Sequence, residues 1–145
     1  MSLALIILAA GLGSRMNSEL PKVLHPLGGA PLLAHALRAG LALEPERVIV
    51  VTGHGAQAVG KATLAEWPEA LLVHQSEQLG TGHAVAQARA ALEGFEGDIV
   101  VLYGDTPFVS ADTLEALRAA RGRHDVVVLG FRAADPGRYG RLVAQ

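Results

Sequence analysis

The chain has 145 residues, 50% of them apolar, which suffices for one domain whose core buries roughly two thirds of the surface its unfolded form exposes. A formal net charge of -2 supplies no basic field of the kind that holds a protein on a phosphate backbone or an anionic membrane, so neither nucleic acid nor membrane is an expected partner. The absence of cysteine excludes a disulfide framework, a thiolate metal site and a thiol nucleophile, in keeping with a reducing cytoplasm as the expected location.

The opening run LALIIL follows no basic residue and breaks at glycine well short of a membrane span, so it reads as a buried strand over 3–8. Further continuously apolar runs predict strands at 47–51, 70–73, 98–102 and 125–131, as expected of central parallel strands buried on both faces. Alanine-rich amphipathic stretches between them predict helices at 31–43, 56–66, 83–92 and 113–121. Pro31 suits a first turn, and Ser110 or Asp112 suits an N-cap. This alternation is that of βαβ units, so the expected fold class is α/β, Rossmann-like, with a mostly parallel open sheet flanked by helices. Residues 9–30 form the one long connection without clear periodicity, and loops of that length in compact domains are often functional.

LAAGLGSRM leaves the first strand at the carboxyl edge of the sheet, where open α/β folds bind ligands. Small residues at Ala9, Ala10, Gly11 and Gly13 let a nucleotide approach the backbone, and successive N–H groups there can cradle phosphate oxygens. The same glycines would also suit an ordinary tight turn. A P-loop is excluded because no GKS or GKT ending follows, and a dinucleotide fingerprint fails because Met16, Thr52 and Gly53 stand where its third small residue and its acidic residue belong. Arg15 follows the glycines directly, and Lys22, one of two lysines in the chain, comes seven residues later behind a proline. Either alone reads as a solvated cation. Together with the loop they suit a triphosphate, the guanidinium through paired hydrogen bonds and the ammonium as a compact charge.

HQSEQLGTGHA follows the third strand and opens a helix, which places Gln75, Gly80 and Thr81 on the same edge. A glutamine amide can read a base edge, and a Gly-Thr pair at a helix start offers N–H groups and a hydroxyl, although it also serves as a plain helix cap. LYGDTPF ends the fourth strand and puts Asp105 at the edge, as a turn initiator or as a ligand for magnesium, which often uses one or two protein carboxylates with phosphates and water. The six histidines show no HExxH or other ligand spacing and read as surface, cap or packing residues. No GxSxG elbow is present.

In order and spacing, LAAGLGSRM, PKVL, QLGTGHA, YGDTPFVS and GRYGRLV together resemble the N-terminal domain of the bacterial bifunctional N-acetylglucosamine-1-phosphate uridylyltransferases, across essentially the whole chain. The resemblance implies a nucleotide-diphospho-sugar transferase fold that uses magnesium to transfer uridylyl from UTP to N-acetylglucosamine 1-phosphate, giving UDP-N-acetylglucosamine, a peptidoglycan precursor, and pyrophosphate. It further implies that Leu8, Ala9, Ala10 and Gly11, with Gly13 and Ser14 of the same loop, contact the nucleotide. Gln75, Gly80 and Thr81 would recognise uracil. Tyr103, Gly104 and Asp105 would line the sugar-nucleotide and metal site, with Asp105 the metal ligand, and Gly140 would approach the sugar through its backbone. Arg15 and Lys22 would neutralise triphosphate charge as the sugar phosphate attacks the α-phosphorus.

Two departures from the family pattern are local: Ser14 replaces a usual threonine and keeps the hydroxyl, and Leu12 stands where lysine is common. A third concerns length, since the family domain continues beyond GRYGRLV with further sugar ligands and a second metal ligand, usually before a left-handed β-helix acetyltransferase. Residues 1–145 are thus expected to form the N-terminal portion of a nucleotidyltransferase domain, truncated and incomplete for catalysis, with a sheet edge near 125–131 exposed to self-association. Two other readings are a nucleotide-binding module without turnover and a related transferase with another nucleotide or acceptor, such as the cytidylyltransferases of isoprenoid synthesis or the guanylyltransferases of molybdenum-cofactor assembly. QLGTGHA argues against the latter.

Overall fold

The computed structural model describes residues 1–13 and 18–143. Its centre is a four-stranded sheet of β1 (Leu3–Ala9), β4 (Arg47–Thr52), β5 (Leu71–His74) and β6 (Asp98–Tyr103), in the order β5-β4-β1-β6. All pairings in it are parallel, with Ile6 opposite Ile49 on one side and Val101 on the other. The chain moves outward from β1 through β4 to β5 and then crosses to the far side of β1 for β6. This reversal opens a crevice at the carboxyl ends of β1 and β6, the place where such sheets bind ligands.

Every residue of β1 is buried. The pleat sends Leu3, Leu5, Ile7 and Ala9 into a core with Leu33 and Leu37 of α1 (Leu32–Leu41), Val59 of α2 (Ala56–Glu66) and Leu114 of α4 (Ala111–Arg121). Ile6 and Leu8 point the other way, towards Ala84 of α3 (Thr81–Ala86) and Ala88. Two buried faces explain why the strand sequence is apolar throughout rather than alternating. Helix α4 starts where its sequence allows, with the Ser110 hydroxyl accepting from the Thr113 N–H, so Ser110 and not Asp112 is the cap.

Several boundaries differ from the sequence expectation. Helix α1 begins at Leu32, because Pro31 is spent in a two-stranded antiparallel hairpin, β2 (Pro26–Leu27) with β3 (Ala30–Pro31). With the 3-10 turn Lys22–Leu24, that hairpin gives the 9–30 connection structure that its short elements concealed. The helix expected over 83–92 starts two residues earlier and tightens after Ala86, with hydrogen bonds that contract to three-residue spacing before the 3-10 turn Ala90–Leu92.

The strand expected at 125–131 is not formed. Val126 and Phe131 are 76% and 71% exposed, and no strand among the described residues pairs with them. A strand needs a ladder partner to satisfy its backbone, and β propensity alone does not supply one. The sheet therefore ends in two edge strands, β5 and β6, and on β6 Ile99 and Val101 are exposed on the side shared with α3. Among the described residues no helix is long and apolar enough to cross a membrane.

Candidate active site

The loops after β1, β5 and β6 converge on a cleft of 480 Å³, within the size range of small-ligand sites. Its lining joins Leu8, Ala10, Gly11 and Gly13 from β1 and the loop after it with Gln75, Gly80 and Thr81 from the connection between β5 and α3, and with Tyr103 and Asp105 from the end of β6 and its loop. Parallel strands deliver their following loops to one edge, so residues distant in sequence meet there.

Lys22 sits in the 3-10 turn between two buried anchors, Pro21 and Val23. Gly13 has φ +59°, and a Cβ there would lie 2.9 Å from the Lys22 Cβ, so the loop can pass Lys22 only as glycine. The Lys22 ammonium lies 2.7 Å from an Asp105 carboxylate oxygen, and both side chains keep solvent contact. The two groups read from the sequence as phosphate cation and metal carboxylate thus form one ion pair in the cleft wall. The β6 loop is fixed behind them, where the Gly104 N–H donates to the Leu8 carbonyl at 2.9 Å and the Thr106 hydroxyl donates to the Tyr103 carbonyl at 2.9 Å. Among the described residues no three His, Asp or Glu side chains cluster as a preformed metal cage.

On the opposite wall Gln75 is 3% exposed. Its amide nitrogen lies 2.9 Å from His83 Nδ1 and 3.3 Å from the Gly80 carbonyl. Gly80, at φ +102°, turns the chain into α3 in a conformation that favours glycine.

Not every expected residue reaches the cleft wall. Ala9 points into the core shared with α1, α2 and α4, and Gly104 is buried behind the wall. Gly140 is exposed in a segment without regular structure and does not line the cleft. Ser14 and Arg15 lie outside the described residues. Sequence reasoning missed Val23, Gln78 and Ala84, which also line the cleft. They sit inside the PKVL and QLGTGHA motifs, so motif membership was the available signal. It also missed His83, whose contact with Gln75 no ligand-spacing pattern would reveal.

Residues 5–141 match the family model described as the MobA-like NTP transferase domain. The chain is 72% identical over 144 residues to the "Bifunctional protein GlmU" of Dinoroseobacter shibae, a match covering 99% of this chain and 32% of that protein. It therefore spans about a third of the length of the curated relatives it matches. Among solved structures it resembles a nucleotidyl transferase from Methanothermobacter thermautotroptrophicus, with 29% identity and a TM-score of 0.66 over 81% of this chain and 57% of that one. A Mycobacterium tuberculosis protein, Rv0371C, solved in complex with manganese, shares the fold at 23% identity and a TM-score of 0.67, over 84% of this chain and 60% of that one. The sheet order, the helices on both faces and these likenesses identify a nucleotide-diphospho-sugar transferase fold. With a family model matched across nearly its whole length, the chain belongs to the MobA-like NTP transferase domain family.

Proposed function

We propose that the chain is the nucleotide-binding portion, residues 1–145, of a cytoplasmic sugar-phosphate uridylyltransferase that joins UTP to N-acetylglucosamine 1-phosphate, releases pyrophosphate and feeds cell-wall precursor synthesis. The observation that carries this reading is the meeting of Lys22, Asp105, Gln75 and the glycine loop in one cleft at the sheet's reversal point. The likeness to GlmU proteins supports the particular nucleotide and acceptor.

In this reading the base end of UTP lies against Gln75, Gly80 and Thr81, while Leu8 to Gly11, Gly13 and Ser14 follow the ribose and phosphates. Lys22 and Arg15 hold the triphosphate charge and stabilise the extra charge on the α-phosphoryl oxygens during attack. The partly exposed Asp105 carboxylate fits one ligand of a divalent ion, magnesium or a similar hard cation, whose other ligands are phosphates and water. When bound, that ion would neutralise phosphate charge and help orient the phosphates. Tyr103 faces the sugar end from the cleft wall, with Gly104 buried behind it, whereas Gly140 lies off the wall. The free edge of β6 is a surface through which the isolated chain would self-associate.

The test is calorimetric titration of UTP and uridine into the chain and its Lys22→Ala variant, with magnesium present. UTP binding should weaken by about 1.5–3 kcal/mol, the range for a charged hydrogen bond, while uridine binding stays unchanged. Equal losses for both ligands would remove Lys22 from the phosphate site. Pyrophosphate release by the longer protein that contains this chain, with UTP and N-acetylglucosamine 1-phosphate but not with other triphosphates, tests the reaction itself. Binding without any release would support a non-catalytic module instead.

A further inference from the structure

His83 makes a hydrogen-bond chain that the proposed chemistry does not use. Its Nδ1 lies 2.9 Å from the Gln75 amide nitrogen and its Nε2 lies 3.2 Å from the Gln87 amide nitrogen. A neutral imidazole has one N–H and one lone pair, so it cannot accept from an NH2 group on each side. One amide must present its oxygen to the ring.

The two glutamines are not equally free to turn. Gln87 also donates to the His83 backbone carbonyl at 3.0 Å, and a half-turn would set its oxygen against that carbonyl. A half-turn of Gln75 likewise sets its oxygen against the Gly80 carbonyl, but at the longer 3.3 Å, so both the lost hydrogen bond and the repulsion cost less. The lower-energy arrangement therefore has His83 Nε2 accepting from Gln87 and His83 Nδ1–H donating to the Gln75 oxygen. The Gln75 NH2 is then turned away from His83, and Gln75 is one of the residues that line the cleft.

We infer that His83 is a positioning residue for base selection: by holding the Gln75 oxygen, it leaves an NH2 donor at the cleft wall that accepts a pyrimidine with a carbonyl at C4 and disfavours one with an amine there. Uracil meets donor with acceptor. Cytosine would set one NH2 group against another, which is the kind of mismatch that discriminates best in a buried site. The inference rests on the uridylyl reading and adds to it the group that fixes the direction of the amide.

Titration calorimetry of UTP and CTP, both with magnesium, should be run on the unaltered chain and on the variants H83A, H83N and Q75E. The unaltered chain should prefer UTP by at least roughly tenfold, the order of one well-placed hydrogen bond. In H83A the amide turns freely, so the ratio of the two dissociation constants should collapse towards unity. H83N, whose amide can still donate to Gln75, should restore much of the preference. Q75E should favour CTP, because a carboxylate offers only acceptors. A ratio in H83A equal to that of the unaltered chain overturns the inference while leaving the uridylyl reading intact. Should H83A fail to fold, Q75E decides, and a retained preference for UTP there overturns the inference. Failure of the unaltered chain to bind UTP overturns both the inference and the reading beneath it.

Discussion

Two short segments of nearly the same composition have opposite fates. Val48-Ile49-Val50-Val51 in β4 is buried, with β1 paired on one side and β5 on the other. Val126-Val127-Val128-Leu129 is mostly exposed and pairs with no strand among the described residues. The second segment lies beside an apolar groove lined by β6 and α4, yet the residues beyond it are joined mainly by local contacts. Phe131 and Tyr139 meet edge to face at 5.1 Å, the Gly137 N–H donates to Asp135, and Arg141 donates to the Tyr139 and Gly137 carbonyls. The comparison separates propensity from partnership: a β-branched run becomes a strand where hydrogen bonds and packing meet it from both sides.

The largest expected contrast comes from placing a charge in each segment. Val50→Asp should cost at least about 4 kcal/mol, because a buried carboxylate without a partner is among the few changes that large. Val128→Asp, at a position 62% exposed, should fall within about 0.5 kcal/mol of the unaltered chain. Denaturant midpoints measure both, and comparable losses would mean that the later segment belongs to the cooperative core.

A smaller effect concerns the ion pair in the cleft wall. Asp105→Asn keeps the shape of the side chain but removes the charge that pairs with Lys22. It should leave folding nearly intact and diminish the gain in UTP affinity on adding magnesium, by roughly 1.5–3 kcal/mol if the carboxylate is a ligand. An unchanged gain would take Asp105 out of the metal site. With a chelator present, the same variant should bind UTP no worse than the parent, since Lys22 is released from its partner.

Two glycines sharpen the distinction between framework and tail. Gly13→Ala combines a left-handed backbone with a clash against Lys22 and should cost roughly 1–2 kcal/mol, with weaker UTP binding as Lys22 is displaced. Gly137→Ala meets a similar φ of +44° with nothing within 4 Å. Its strain should stay local and leave the global unfolding midpoint unchanged, provided the tail opens separately from the sheet. The smallest effect is expected at the α1–α2 clamp, where Arg38 donates two hydrogen bonds to Glu66 at 2.9 and 2.8 Å. Its exposure limits Arg38→Ala to about 1 kcal/mol by thermal denaturation, and less at high salt.

By itself the sequence determined the central strands β1, β4, β5 and β6 and the extent of α2, because continuous apolar runs and amphipathic spacing are local signals of burial. It also placed Gly11, Gln75 and Asp105 on one edge, since successive parallel strands must point their following loops the same way. Tertiary structure alone decided three things. It denied residues 125–131 a strand, because a ladder partner is not written in the segment itself. It paired Lys22 with Asp105, because an ion pair between residues 83 positions apart depends on how two loops converge. It made His83 a neighbour of Gln75 on one side and Gln87 on the other, because a hydrogen-bond chain is fixed by side-chain direction across a loop and a helix turn, which residue spacing does not encode.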